Sequence, residues 1–339
     1  MKAFKYILFL LLILFIGMAI YIAVQPNAYD VKRTRTINAP VSVVYDNIID
    51  FENWLAWSSW ADENAGLSIN LPDQTRGIDA SYSWKDDNIE GTIKTINAKP
   101  DATIVQEMQY GDDPKTDIIW NLKPNGDGTT EVTLTMSGND LPFGFKASTI
   151  FNGGMDSKIG PDIESSLEKL DRTIVANMKV YSINVEGITQ HGGGFYLYNT
   201  TSSKRSDFKL RMQEMMPKLG AYAIANNITM SGKPFVIYHK MDDTNGTVMF
   251  SCCIPTTSKI TTEDPEVLTG QLEPFKALKT VLKGDYVNLQ EAWTKATTYI
   301  ETNNLVQKEN GIALEAYLND PMSTPNPANL VTEIYLEVE

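Results

Sequence analysis

The 339-residue sequence predicts an α+β protein with two domains behind a single membrane-spanning helix. Three observations predict this class. An uncharged apolar run lies near the N-terminus, a series of short strand-like segments closed by an amphipathic helix fills the first half, and the second half repeats a pattern of helix, loop and two strands. Because a chain of this length exceeds one typical core, two domains are the expected arrangement.

The composition is that of a globular protein with an excess of acidic residues. Apolar residues make up 42% and charged residues 21% of the chain, so neither half needs to be disordered. The net charge of -13 argues against a nucleic-acid-binding surface, because phosphate binding depends on clustered Lys and Arg side chains and no such cluster occurs. We therefore expect no nucleic-acid partner.

The cysteines and histidines offer nothing from which a metal site could be built. Cys252 and Cys253 are adjacent and would point to opposite faces of an extended strand, so we expect small core or edge residues and no disulfide between them. His191 and His239 are the only histidines, and they are not spaced with cysteines as zinc ligands are. We expect no metal and no cofactor.

The N-terminal residues 1–28 are predicted to be a transmembrane anchor. No charged residue lies between Tyr6 and Val24, and at about 1.5 Å per residue such a helix spans roughly one hydrocarbon core. A cleaved signal peptide is the alternative. The apolar stretch is long for a signal peptide, however, and no cleavage site of the A-x-A type precedes Tyr29.

The orientation of this span depends on the charges that flank it. The nearby basic residues are Lys2 and Lys5 before the span, and Lys32, Arg33 and Arg35 after it. The positive charges on the two sides of the span are therefore nearly equal in number, and the positive-inside rule hardly favours either orientation. As an uncleaved signal anchor, the segment would leave its N-terminus in the cytoplasm, and we expect a single-pass membrane protein with its soluble domains on the exported, periplasmic side.

Residues 29–177 form the first predicted domain, an antiparallel meander closed by a helix. A strand over 31–37 is followed by a helix that starts near Pro40. Strand-like segments separated by turn residues then recur at 77–84, 88–97, 102–110, 116–124 and 129–137. A long helix over 160–179 closes the domain, with one apolar stripe formed by Ile163, Leu167, Leu170 and Ile174.

The opening motifs of this domain resemble the START-like superfamily, which includes polyketide cyclases and dehydrases. The motifs are Ile37-Asn38-Ala39-Pro40, continued by Val44-Tyr45, and Asp50-Phe51 followed by Trp54, Trp57-Ser58 and Trp60. The resemblance implies a helix-grip fold, in which the long C-terminal helix covers a curved sheet above a cavity. We expect Trp54, Trp57 and Trp60 to pack in a lid and core, and Trp84 and Trp120 to line the cavity or fill it.

Residues 178–339 are the second predicted domain and contain an internal repeat. Its helical segments are 219–228 (LGAYAIANNI) and 295–305 (KATTYIETNNL), each with an Asn-Asn pair near its end. A polar loop and two strands follow each helix, at 232–239 and 246–255 in the first copy and at 311–318 and 330–338 in the second. Since one copy cannot bury a sheet face alone, we expect the two to pack about a pseudo-twofold axis with a cleft between their helices.

This half resembles the gyrase-inhibitor-like domain, a small-molecule-binding module that is also the effector-binding domain of multidrug-responsive transcription activators. The resemblance is carried by Gly284-Asp285-Tyr286, Trp293, Glu315-Ala316-Tyr317-Leu318-Asn319-Asp320-Pro321 and Thr332-Glu333-Ile334-Tyr335. Two positions depart from the family pattern. Asp285 replaces the proline of a common Gly-Pro-Tyr, which alters the rigidity of a turn at the rim of the cleft, and Glu337 replaces a proline near the C-terminus.

The two Glu-x-Tyr pairs predict a ligand site. Glu315 and Tyr317 share one face of their strand, as Glu333 and Tyr335 do of theirs. With the resemblance, we expect these four side chains to converge on one concavity and to bind an apolar or amphipathic cationic small molecule. The alternative is that both pairs lie on a solvent-facing side of the sheet. The resemblance adds Trp293 and Tyr286 to the expected ligand-binding residues.

Two functions fit this domain. The first is a non-catalytic sensor or sequestration module for a small molecule. The second is a hydrolase of small electrophilic esters, because some relatives of the effector domain use an acidic residue with Tyr and Trp for that reaction. Transcription activation is disfavoured, since regulators with this module place a helix-turn-helix before it, and here the first domain and the membrane span occupy that position.

Overall fold

The computed structural model describes residues 2–58, 68–86 and 89–339. The chain divides into two compact units, Met1–Asn177 and Met178–Glu339, which we call unit 1 and unit 2. Each unit combines helices with one antiparallel sheet, so the predicted α+β class is confirmed.

Unit 1 begins with α1 (Lys2–Ala23), which is apolar on all sides. Its 20-residue segment Phe4–Ala23 is long and apolar enough to cross a membrane, judged by length and composition. Most of its side chains lie exposed, as Phe15 does at 71%, whereas Ile22 near its end is buried. Exposed apolar residues around a whole helix are typical of a membrane span or a signal sequence and not of a core helix.

The body of unit 1 is a seven-stranded antiparallel sheet with helices packed on it. Its strands are β1 (Tyr29–Ile37), β2 (Ser68–Asn70), β3 (Ser81–Asp86), β4 (Ile89–Lys99), β5 (Thr103–Tyr110), β6 (Thr116–Pro124) and β7 (Thr130–Gly138). The order across the sheet is β1-β7-β6-β5-β4-β3-β2. The helices are α2 (Val41–Ile49), a 3₁₀ turn at Phe51–Ala56, α3 (Phe143–Phe151) and α4 (Met155–Asn177).

The long helix α4 packs on the sheet through the apolar stripe that the sequence predicts. Ile163, Leu167, Leu170 and Ile174 are all at most 2% exposed. The helix begins five residues earlier than predicted and contains Pro161. Its start is held near β1 by Arg33, which donates to Asp156 over 2.9 Å.

Three tryptophans form the centre of the unit 1 core. Trp54, Trp57 and Trp120 are at most 1% exposed, and their ring centroids lie 4.8–6.1 Å apart. Trp120 donates from Nε1 to the buried Gln106 over 3.0 Å. Trp120 therefore fills the space below the helices, while Trp84 stacks on Tyr110. Trp60 lies outside the described residues.

Unit 2 contains one eight-stranded antiparallel sheet and two long helices. The strands are β8 (Ser182–His191), β9 (Gly194–Lys204), β10 (Phe235–Asp242), β11 (Thr247–Thr256), β12 (Leu268–Leu272), β13 (Phe275–Lys283), β14 (Ala313–Tyr317) and β15 (Val331–Glu337). The helices are α5 (Phe208–Ala225) and α6 (Leu289–Thr302).

The sheet of unit 2 is symmetric about its central pair of strands. Its order is β12-β9-β11-β10-β14-β15-β13-β8, so the two βαββ copies meet where β10 pairs with β14. Val236 of the first copy pairs there with Glu315 of the second. The expected side-by-side packing of the repeats is confirmed, and β8 and β12 add an outer strand to the opposite copy.

The repeated Asn-Asn pairs end the two helices in the same way. Asn227 and Asn304 both have a φ of 53°, the left-handed conformation that Asn tolerates better than most residues. The residue after each donates its amide back into the last turn, Ile228 to Ala223 over 2.8 Å and Leu305 to Ile300 over 3.0 Å. The repeat thus encodes two matching helix ends.

We expect the two units to fold independently, because each has its own sheet and buried core. Fragments 29–177 and 178–339 should each give a folded circular dichroism spectrum and one cooperative transition in urea. A fragment that is unfolded in buffer would contradict a domain boundary at Asn177.

Candidate functional site

A cavity of about 440 Å³ lies on the helix-bearing face of unit 2. Its walls come from the start of α5, from α6 and from the central strands β10 and β14. The aromatic residues lining it are Phe208, Tyr238, Tyr286 and Trp293, and its buried acidic residue is Glu315. Arg205 and Asp243 also line it and form an ion pair with each other.

Glu315 lies at the bottom of this cavity and is only 2% exposed. Its central strand places it beneath the helices, where three neutral groups donate to it. Trp293 Nε1 donates to Oε1 over 2.5 Å, and the Tyr317 hydroxyl donates to Oε2 over 2.6 Å. The Tyr238 hydroxyl is the third donor.

Burial raises the pKa of Glu315, although hydrogen bonds from Tyr317, Trp293 and Tyr238 oppose that rise by stabilising the anion. No Lys, Arg or His among the described residues contributes to this pKa. Burial also raises the pKa of Tyr238 and Tyr317 well above their usual value, so both phenols stay protonated and can donate. An ionised Glu315 therefore has donors but no positive partner.

Aromatic rings surround the carboxyl group of Glu315. Tyr238 meets Trp293 edge to face with centroids 5.4 Å apart, and Tyr286 meets Tyr317 in the same way at 5.4 Å. Phe208 stacks on Tyr238 at 5.7 Å. These contacts fix the rings in place, so the cavity combines rigid aromatic rings with one buried acidic group.

The elements that carry Trp293 and Tyr286 have local reasons for their shape. In α6, Ala292 and Ala296 face the core, and Trp293 lies one position further round the helix, towards the cavity. Asp285, which replaces the family's proline, accepts from the amide of Val287 over 2.9 Å and so caps the 3₁₀ turn Tyr286–Asn288. Gly284 precedes it at a φ of 138°, where an added Cβ would overlap Tyr181.

The structure places Glu333 and Tyr335 on the opposite face of the sheet, which corrects the expectation of one shared concavity. In the pairing of β14 with β15, Glu315 lies opposite Ile334, and Glu333 lies opposite Ala316. Directly paired residues share a face, so Glu315 and Glu333 point to opposite sides. Glu333 instead pairs with Lys279 over 2.8 Å and accepts from Tyr335 over 2.7 Å.

The structure brings together four of the six residues expected at the site, namely Glu315, Tyr317, Trp293 and Tyr286. It adds Tyr238, which sequence reasoning missed although the repeat contains a signal for it. When the two repeat copies are aligned at Gly232 and Gly311, Tyr238 is equivalent to Tyr317, and Val236 is equivalent to Glu315. Corresponding tyrosines of the two copies thus meet at a single carboxyl group.

The described residues contain no group of three His, Cys, Asp or Glu side chains that could hold a metal ion. Cys252 and Cys253 are both free and fully buried in β11, which confirms that they are core residues. Cys252 packs beneath α5, and Cys253 packs on the other face of the sheet.

Comparison with known proteins finds one family model, "GyrI-like small molecule binding domain", which matches residues 178–339. Among solved structures, the EcmrR C-terminal domain is 15% identical, with a TM-score of 0.41 over 47% of this chain and 98% of its own. Protein CV1439 from Chromobacterium violaceum is 12% identical, with a TM-score of 0.32 over 43% of this chain and 96% of its own.

A third similar structure is the EcmrR–DNA complex, which is 15% identical with a TM-score of 0.41 over 58% of this chain and 78% of its own. No curated protein matches the chain. The family match covers the whole of unit 2, including the repeat, the central strands and the cavity at Glu315. Residues 178–339 are therefore a GyrI-like small molecule binding domain.

Proposed function

We propose that unit 2 binds an amphipathic aromatic cation in the cavity above Glu315. The observation that carries this proposal is a buried carboxyl group with three neutral donors and no cationic partner among the described residues. Burying an anion without a counter-ion is unfavourable, and a ligand that brings a positive charge removes that penalty. The surrounding rings add cation–π attraction of about 0.5–2 kcal/mol each.

The size and chemistry of the cavity favour a small, flat ligand. A volume of about 440 Å³ lies within the usual range for sites that bind small organic molecules. Four aromatic residues line its walls, and its buried carboxyl group lies at the bottom, so the ligand's charge would be desolvated when it reaches Glu315. We infer a role in sensing or sequestering such molecules.

Binding of a cationic dye should weaken as the pH falls, and this tests the proposal. The cation needs ionised Glu315, and the pKa of Glu315 is raised above the ordinary value of 4.5. Lowering the pH through that raised pKa protonates the carboxyl group and removes its attraction for the cation. Fluorescence titration between about pH 7 and about pH 4.5 should show the affinity falling before ordinary carboxylates titrate.

Glu315→Gln is the matched control for this pH series, because the variant lacks the buried carboxyl group and its residual affinity should not follow the same curve. An affinity of the unmodified chain that stays constant over the whole series would contradict a direct role for the Glu315 carboxylate.

A second candidate, ester hydrolysis, is favoured by the hydrogen bond between Glu315 and Tyr317. A carboxylate with a raised pKa is suited to take a proton from a water molecule that attacks an ester carbonyl, with acid and alcohol as products. Turnover of a small activated ester that is lost in Glu315→Gln would support this function. If the dye binds but no ester is turned over, hydrolysis is excluded and the non-catalytic binding function is kept.

We also propose that α1 anchors the chain in a membrane, with the soluble domains on the exported side. The apolar segment Phe4–Ala23, which carries no charge after Lys5, and its exposed side chains support this proposal. For unit 1 we propose a START-like domain, supported by its opening motifs and by the long α4 packed on the sheet. The absence of a nucleic-acid partner stays a prediction that rests on the net charge of -13.

A further inference from the structure

The topology of unit 1 brings α3 to the end of the sheet from which α1 leaves. β1 follows α1 and starts at Tyr29, which pairs with Gly138 at the end of β7. The chain after β7 therefore emerges beside the end of α1, where the amide of Leu141 donates to the carbonyl of Asn27 over 3.1 Å. The helix α3 begins two residues later.

An apolar groove lies between α1 and α3. On the α1 side it is lined by residues from Leu8 to Ile22, a length of roughly 21 Å at the rise of an α-helix. On the α3 side it is lined by Phe143, Ala147 and Phe151, which follow one another at intervals of four residues on one helix face. Phe143 and Phe151 stay 50% and 66% exposed in the folded chain.

The composition of α3 suits a lipid environment. Lys146 is its one charged residue, and this side chain is only 9% exposed. Its ammonium group donates to the carbonyls of Ala23 over 3.2 Å and Gln25 over 3.5 Å, and so satisfies backbone groups at the end of α1. A lysine whose ammonium group is held by backbone carbonyls is tolerated at the membrane surface.

We propose that α3 is a second membrane-embedded element, and that lipid acyl chains fill the groove between α1 and α3. This inference rests on the proposed anchoring by α1, because one wall of the groove is the membrane-spanning segment itself. In a bilayer, lipid hydrocarbon surrounds Leu8–Ile22 of α1. Because these residues form one wall of the groove, the same hydrocarbon also reaches the groove. Phe143 and Phe151 then pass from water into lipid, which is favourable for aromatic side chains.

Spin labelling of the full chain in phosphatidylcholine vesicles tests this inference. Nitroxides are attached one at a time at Phe151→Cys, Phe143→Cys, Phe15→Cys and Lys123→Cys, and their collisions with oxygen and with a water-soluble nickel complex are compared. Phe143 and Phe151 are exposed, so their loss leaves no cavity, and the native Cys252 and Cys253 are fully buried. The unmodified chain serves as the labelling blank.

We expect oxygen to collide more often than the nickel complex at positions 151 and 143, as at position 15 inside α1. The opposite is expected at position 123, because Lys123 pairs with Glu131 at the far end of the sheet from Tyr29. If oxygen collides more often than the nickel complex at position 15, but less often at both 143 and 151, the inference is overturned and the anchor stays intact. If the nickel complex collides more often than oxygen at position 15 as well, the proposed membrane anchoring by α1 is overturned.

Discussion

Replacing Glu315 with Gln should weaken the binding of a lipophilic dye cation by about 1–3 kcal/mol, roughly tenfold to over a hundredfold in Kd. The substitution keeps the volume of the side chain and some hydrogen-bonding capacity but removes the charge. In the cavity the cation meets a carboxylate that is only 2% exposed, so water screens the attraction little. Fluorescence titration of unit 2, or of the chain from Tyr29 onward, measures this loss.

The fold should persist in Glu315→Gln. The raised pKa means that this carboxyl group stabilises the fold when protonated, and that the contribution is lost as pH rises through the folded-state pKa. A neutral Gln at pH 7 therefore removes an unfavourable buried charge, while its amide still offers Trp293 or Tyr317 one acceptor. A urea transition close to that of the unmodified chain would show that lost affinity is not lost structure.

Glu333→Gln is the matched control variant for the dye titration. Glu333 lies in the neighbouring strand on the opposite face of the sheet, paired with Lys279 and Tyr335. Its replacement should leave dye affinity unchanged. Equal affinities for the unmodified chain, Glu315→Gln and Glu333→Gln would refute a cationic ligand at Glu315 and leave a neutral ligand or hydrolysis to be tested.

Removing residues 1–28 should convert the chain from a membrane protein to a soluble one. The full chain should stay in the membrane fraction after a carbonate wash, because transferring the apolar side chains of the 20-residue segment Phe4–Ala23 into water is prohibitive. The shortened chain keeps both sheets and should be found in the supernatant. Sedimentation followed by immunoblotting separates the two results.

A cleaved signal peptide gives a different outcome in this experiment. The full-length gene would then yield a soluble mature form beginning near Tyr29, with no material resistant to the carbonate wash. N-terminal sequencing of the purified protein distinguishes cleavage from anchoring.

Much of the fold can be predicted from the sequence because it is encoded in local patterns. The predicted strand over 116–124 coincides with β6, and the Asn-Asn repeat marks two helix ends that match in structure. The predicted strand over 77–84 begins four residues before β3, since Gly77 and Asp79 have positive φ values that end regular pairing there. The helix α3 was not predicted, because Gly144 and a single short face give little helical pattern.

The uncharged segment Tyr6–Val24 and the order of the two units can be read from the sequence alone. The Glu-x-Tyr pattern gives Glu315 and Tyr317 as site candidates, and the family resemblance adds Trp293 and Tyr286. Alternation along a strand can show that Glu315 and Tyr317 share a face, because that relation lies within one segment. Alternation cannot show whether residues of two different strands lie on the same face of the sheet, because a shift of one residue in register moves every side chain to the other face.

Which side chains meet at the cavity depends on how the strands pair and how the helices pack on them. The pairing of Glu315 with Ile334 sends Glu333 and Tyr335 to the other side of the sheet, and the pairing of β10 with β14 brings Tyr238 to Glu315. Likewise, Glu337, which replaces a family proline, is held by Lys308 at 2.6 Å from a distant loop. These contacts join residues far apart in the chain, so burial and charge at the site depend on how the two repeat copies pack.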